Sequence, residues 1–282
     1  MTRRTLITSN ANARLRAVRR LARRRSSSAF LLEGHRQLRR ALEAEATIEE
    51  VYAAPDLFLG TLDAELLSLA EARGARVVGL GAEAFRSIST ATRPDGLVAI
   101  ARRWPTTLQS VSLDACPLLL VAEGIERPGN LGTLVRSACS SGATGLVSCD
   151  GRTDVFHPDA VRGSVGTLFH LPVAECGSGD AVPWLRASGV RVVVATPEAE
   201  RRCWDARLDG PVAVVVGSER HGVSRCWREV ADELVSIPMH APSDSLNVGV
   251  AAGIVLFEAL RQRECAVEKA RPVEESALIR HA

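Results

Sequence analysis

Lysine is almost missing from this chain: Lys269 is the only one among 282 residues. A Walker-type phosphate loop needs a lysine after its glycines, so that kind of nucleotide site is excluded. No Gly-x-Gly-x-x-Gly string follows an apolar run, which argues against a nicotinamide enzyme. Aromatics are scarce at 4%. The seven cysteines stand singly, at 116, 139, 149, 176, 203, 226 and 265, and no Cys-x-x-Cys pair occurs. They read as reduced core thiols and not as a disulfide frame or a zinc site, and no metal is expected. No apolar run approaches the roughly 18 residues that span a bilayer. The N-terminus has no apolar signal core, so a cytoplasmic protein with no membrane partner is expected.

Arginine takes the place of lysine, and it is unevenly spread. The first forty residues hold twelve arginines and one acid, Glu33. The remainder holds 23 basic and 32 acidic side chains. A basic head on an acidic body is the pattern of nucleic-acid contact. Leu15, Val18, Leu21 and Ala22 fall at helical spacing, with arginines on the other faces. Guanidinium groups match phosphate oxygens bidentately, so Arg19, Arg20, Arg23, Arg24, Arg25 and Arg36 are the candidate RNA contacts. Ser26–Ser28 reads as a short hinge.

From Phe30 onward, short apolar runs alternate with helical patterns as far as Arg103. This predicts a small α/β unit over residues 1–103, followed by a linker at 104–116 with Pro105 as breaker. A second α/β domain is expected over 117–264, and a frayed tail over 265–282. In that domain Leu118–Ala122, Gly145–Cys149 and Val212–Val216 read as strands buried on both faces. Leu131, Leu134, Val135, Ala138 and Cys139 make an apolar stripe, predicting a helix from Leu131 with Asn130 as its N-cap. Gly132, Arg136 and Ser140 lie on another line of that helix, and Gly132 would let something bulky approach Arg136. Val212–Val216 stops at Gly217, and a second short strand, Leu234–Ile237, stops at Pro238. A long helix then runs from Leu246 to about Arg263. Its Gly249 and Gly253 would admit another backbone, from this chain or from a second subunit. Ligands of open α/β sheets bind outside the carboxyl ends of strands, which points at these loops.

Three ordered segments carry a resemblance. Asn130-x-Gly132-x-x-x-Arg136, then GSERHG at 217–222 with SIPM at 236–239, then SLNVGVA at 245–251, are similar to the three signature motifs of the SpoU–TrmH family of RNA ribose 2′-O-methyltransferases. The likeness covers about residues 118–262. FLLEG (30–34) and RPDGLVAIA (93–101) more loosely resemble the ribosomal-protein-like RNA-binding domain that precedes the catalytic domain in this family. The resemblance implies an α/β catalytic domain with a parallel sheet and a deep trefoil knot of SPOUT type, S-adenosyl-L-methionine as methyl donor, and a homodimer whose site lies between subunits.

By the same resemblance, Gly217, Ile237 and Leu246 hold the cofactor largely through backbone groups. Met239 is a neighbour, and the strand end Ala195–Thr196 is a further rim. The expectation for Gly217 is that it lets the chain come close to the ligand. Arg136 is the candidate catalytic residue. The family proposal makes it a base, but a guanidinium pKa above about 12 favours a phosphate grip and stabilisation of the developing alkoxide. Asn130 and Glu219 are expected to orient Arg136 and the loops. Ser245 and Asn247 are expected to brace the substrate side or cap the last helix. Arg162, Ser164 and Gly166 are expected to border the RNA, with His157 and His170 structural. Ser218 stands where the family has Asn, Val223 where it often has Leu, and Ala241 where it has Gly; these read as drift. Large-subunit ribosomal RNA, including the antibiotic-resistance type, is the favoured substrate and transfer RNA the second. A catalytically inactive RNA-binding protein is the alternative from another class.

Overall fold

The computed structural model describes residues 6–23, 28–60, 62–240 and 245–270. Arg24, Arg25, Ala241, most of the expected hinge and the tail beyond 270 lie outside the described residues. The first hundred residues form a five-stranded sheet: β1 (Leu6–Ile7), β2 (Ala29–Glu33), β3 (Ile48–Ala53), β4 (Arg76–Leu80) and β5 (Leu97–Arg102), in the order β1-β4-β3-β5-β2. β5 runs antiparallel to β2 and β3, and β4 runs parallel to β1 and β3. Helices α1 (Ala13–Arg23), α2 (His35–Glu43), α3 (Leu62–Ala72) and α4 (Ala82–Arg86) cover it. The amphipathic pattern of α1 is used as read: Leu15 and Val18 are fully buried, and Arg14, Arg16, Arg20 and Arg23 face outward. Two-residue β1 is too short to leave a periodic signal, and the sequence reading passed over it.

The second sheet holds β6 (Leu118–Glu123), β7 (Gly145–Cys149), β8 (Val173–Cys176), β9 (Arg191–Ala195), β10 (Val212–Val216) and β11 (Glu233–Val235). All are parallel, in the order β11-β9-β10-β6-β7-β8. β6 and β10 pair in register at the centre and are buried at every residue. Each fully buried Val or Leu contributes about 1.5–3 kcal/mol, so this centre is a rigid platform for the loops at its carboxyl edge. Around it lie α5 (Pro128–Ser140), α6 (Pro158–Ser164), α7 (Ser178–Ala187), α8 (Arg225–Val230) and α9 (Val248–Ala270).

Several boundaries differ from the reading. α5 starts at Pro128 after the cap residue Arg127, because proline suits the first helical position; Asn130 is therefore inside the helix and is not its N-cap. α9 continues to Ala270, so the first six residues of the expected tail are helical. α8 was not anticipated; six residues are too few to show a period. Among the thiols only Cys149 and Cys203 are buried; Cys116 and Cys226 are exposed, which corrects the core assignment for those two. No helix among the described residues is long and apolar enough to cross a membrane.

The segment 104–116 is docked along the second sheet. Thr106 O accepts the Glu175 amide at 2.8 Å, and Val111 packs on Gly145. At the junction of the two sheets Phe30, Trp104, Phe156 and Phe169 cluster, with ring centroids 4.7–6.2 Å apart. Beside them Arg103 donates twice to the Asp154 carboxylate, at 2.7 and 2.8 Å, and lies 4.4 Å over the Phe156 ring. Arg40 reaches the carbonyl of Val165 and packs over Gly166, while Arg162 donates to the Thr90 hydroxyl. Ser164 is buried. Arg162 and Gly166 thus also serve this junction, while Ser164 bonds within its own helix to Val161 O. His157 caps α6 through Nδ1, accepting the Asp159 amide, as a structural histidine should. Replacing Arg103 with Ala leaves Asp154 as a nearly buried carboxylate without its guanidinium. We expect a loss of about 3–5 kcal/mol, measured as a lowered denaturant midpoint.

Candidate functional site

Three loops at the carboxyl edge of the second sheet converge. The loop after β10 folds back on itself: the Gly222 amide donates to Ser218 O at 2.9 Å, and Gly222 holds φ +63°. Gly217 lies under that return. A Cβ there would sit 2.1–2.3 Å from the backbone of Gly222 and Val223. Gly217 is therefore needed for contact of the loop with itself, where the sequence reading assigned the close approach to a ligand. Behind the loop, the Glu123 carboxylate accepts the Ser224 amide at 2.7 Å and fixes the start of α8. Trp227 anchors α8 in the core, its indole N–H donating to Ser178 Oγ at 2.8 Å.

The loops enclose a cavity of about 490 Å³, in the range of small-ligand sites. Ala195, Thr196, Gly217, Ile237, Met239 and Leu246 all line it, as do Glu219, Ser245 and Asn247. Val216, Val235, Val248 and Ala251 add apolar wall. Arg220 and His221 of the GSERHG segment are on the same wall, and sequence reasoning missed Glu198 and Arg228 there. Glu198 follows directly on the strand end that was noticed. Arg228 is on the unanticipated α8.

A chain of side-chain amides ties the three motif segments together. Asn247 Nδ2 donates to Asn130 Oδ1 at 3.2 Å, and Asn130 Nδ2 donates to Glu219 Oε1. Asn247 Oδ1 accepts the Gly249 amide at 3.0 Å and so caps α9. Both faces of each asparagine amide are thus in use between α5, the loop after β10 and the start of α9. This arrangement orients loops, as expected, but it does not reach Arg136.

Arg136 does not line the cavity of its own chain. It lies six residues along α5 from Asn130, about 9 Å of helix rise. Its side chain is exposed and makes no hydrogen bond or ion pair with described residues. Gly132, one turn before it, faces α6: a Cβ there would lie 2.3 Å from Ala160 O and 2.8 Å from Gly163 Cα. The bulky object admitted by Gly132 is therefore a neighbouring helix. Gly249 does the same for α9 against α5, since its Cβ would meet the Thr133 side chain at 2.6 Å. The solvent-facing flank of α9 exposes Val250, Ile254 and Phe257, at 50%, 37% and 48%.

On the basic head, Arg20, Arg23 and Arg36 are exposed and unpaired among the described residues. Arg19 differs. Its guanidinium donates to Ser87 Oγ and Asn10 O, both at 2.9 Å, and ties α1 to α4. No group of three or more His, Cys, Asp or Glu side chains among the described residues is placed to hold a metal ion.

Residues 117–257 match the profile of the SpoU rRNA Methylase family, and residues 12–99 that of the MRM3-like substrate binding domain. A 23S rRNA (guanosine-2'-O-)-methyltransferase RlmB from Ralstonia nicotianae is 33% identical over 84% of this chain and 97% of its own. The 23S rRNA (uridine(2479)-2'-O)-methyltransferase of Streptomyces viridochromogenes is 39% identical over 48% of this chain and 50% of its own. Among solved structures, the SpoU methyltransferase AviRb from Streptomyces viridochromogenes in complex with the cofactor AdoMet superposes with a TM-score of 0.81. It is 28% identical, and the match covers 90% of this chain and all of that one. An RNA 2'-O ribose methyltransferase superposes with a TM-score of 0.81 at 36% identity, over 92% of this chain and all of that one.

Proposed function

Because this chain belongs to the SpoU rRNA Methylase family, we infer that it is an S-adenosylmethionine-dependent ribose 2′-O-methyltransferase acting on ribosomal RNA. One observation carries the reading at the level of residues. The cavity between the three loops is joined, through Asn247, Asn130 and Glu219, to the helix that bears Arg136. The cavity's volume, its apolar wall and its exposed loop backbone suit an adenosine. Bound there, the donor supplies an electrophilic methyl on a sulfonium, so no separate activation is required. The chain's task is to hold the 2′-oxygen in line with that methyl and to stabilise its charge. The O2′–CH₃ bond forms as the S–CH₃ bond breaks, and the hydroxyl proton leaves to solvent.

In this reading Gly217, Ile237, Met239 and Leu246, with Ala195 and Thr196, hold the donor. Asn130, Glu219, Ser245 and Asn247 shape the mouth of the cavity. Arg136 grips the phosphate beside the target ribose and stabilises the alkoxide. It does so in the cavity of the partner subunit, since it is absent from its own. Support for a homodimer comes from α9, whose Val250, Ile254 and Phe257 form an apolar face beside the helix of Arg136. Phe257→Glu is expected to convert the protein to a monomer in sedimentation and to remove activity with it. The reading includes a trefoil knot, supported by three successive loops meeting at one cavity and by the return of α9 from edge strand β11 to α5. Arg20, Arg23 and Arg36, with Arg24 and Arg25, contact RNA phosphates, and the match of residues 12–99 to a substrate binding domain supports that role. The RNA is that of the large subunit, as the names of the relatives suggest.

The test is methyl transfer from labelled S-adenosylmethionine to 23S and 16S ribosomal RNA lacking modifications. Alkali-resistant label in 23S RNA supports the proposal. Donor binding without label in any ribosomal RNA would leave a binding protein in its place.

A further inference from the structure

Glu198 and Arg228 line the same cavity and have no place in the scheme above. Arg228 Nη2 lies 3.6 Å from Glu198 Oε2. Each is also held from behind. Arg228 Nε donates to the carbonyl of Val223 at 3.1 Å, and the Thr196 hydroxyl donates to Glu198. The Thr196 hydrogen bond, the residue's own backbone N–H and the Arg228 charge hold the Glu198 carboxyl below its ordinary range, so it is ionised near neutral pH. The other charged groups on the cavity wall are already engaged. Glu219 accepts from Asn130, and Arg220, 75% exposed, turns to Glu126.

We infer that Glu198 and Arg228 form the subsite for the amino-acid end of the methyl donor, Glu198 accepting its ammonium and Arg228 its carboxylate. This rests on the proposed function and names the contacts of its donor. The tail of S-adenosylmethionine carries both charges on one carbon. A Glu–Arg pair already side by side can exchange its mutual contact for two crossed ones with little rearrangement. Charge-assisted hydrogen bonds are the stronger kind, although partial exposure of this pair moderates them. The subsite accounts for recognition of the intact donor over a bare nucleoside.

Calorimetric titrations of the full chain with three ligands test it. S-adenosylmethionine has both charges, its decarboxylated form only the ammonium, and 5′-methylthioadenosine neither. Arg228→Met should weaken S-adenosylmethionine about tenfold and leave the other two within twofold. Glu198→Gln should weaken S-adenosylmethionine and the decarboxylated form, and spare 5′-methylthioadenosine. Equal weakening of all three by either variant would mean that the pair only holds the loops, and would overturn the inference. So would unchanged affinity for S-adenosylmethionine in both variants. Failure of the unsubstituted protein to bind S-adenosylmethionine would instead overturn the proposed function.

Discussion

Arg136→Ala is expected to lower methyl transfer to RNA by about a thousandfold while leaving S-adenosylmethionine affinity unchanged. The size follows from what removing one group that stabilises a developing oxyanion does in other active sites, about 10²- to 10³-fold, with a lost phosphate contact added. The unchanged affinity follows from role, because in the proposed dimer Arg136 meets the RNA phosphate and the 2′-oxygen, while the donor is held by Gly217, Ile237, Met239 and Leu246. A guanidinium remains charged throughout the working pH range, so it serves as an electrostatic partner and not as a base. The cross-subunit geometry makes a sharper expectation. Arg136→Ala subunits keep an intact cavity, and Gly217→Ala subunits keep an intact Arg136. Co-expressed, the two inactive chains should form heterodimers with one complete site and recover a substantial part of the rate. No recovery in verified heterodimers would show that Arg136 acts on its own chain's cavity.

The site was legible in the sequence to the extent that its chemistry lies at strand ends. Gly217 follows the buried strand β10, Ile237 follows the edge strand β11 and Leu246 stands just before α9, and all three meet at one cavity. Asn130 was legible as a residue of interest but for the wrong reason. Its flanking Pro128 takes over the start of α5, and its amide is free to join Glu219 and Asn247. Gly132 and Gly217 show a general limit. A glycine marks close approach, but the sequence does not say what approaches, and here it was a helix and the loop's own return. α8 was missed because its single deeply buried anchor, Trp227, leaves no periodic trace. Arg228 was missed with it. The junction role of Arg103, Arg40 and Arg162 was hidden for a related reason. Each partner is more than fifty residues away, so no local pattern encodes it.

Gly217→Ala should reduce S-adenosylmethionine affinity more than a hundredfold while the protein stays folded. The added methyl would lie 2.1–2.3 Å from Gly222 C, Gly222 O and Val223 N. Those are backbone atoms, so no side chain can swing aside; the loop from Ser218 to Val223 must move as a unit. That loop supplies Glu219 and the wall running to Arg228. The strand before it is buried at every residue and paired on both sides, so the displacement is confined to the loop. Gly222→Ala is the control. Its positive φ makes a side chain strained by about 1–2 kcal/mol. Yet its Cβ would meet only Arg228 Nη2, at 3.8 Å, so the loop can stay where it is. Titration should therefore show near-complete loss for Gly217→Ala and a loss of about tenfold or less for Gly222→Ala, with circular dichroism unchanged in both. Equal affinities for the two variants would mean that the return of the loop onto Gly217 does not shape the cavity.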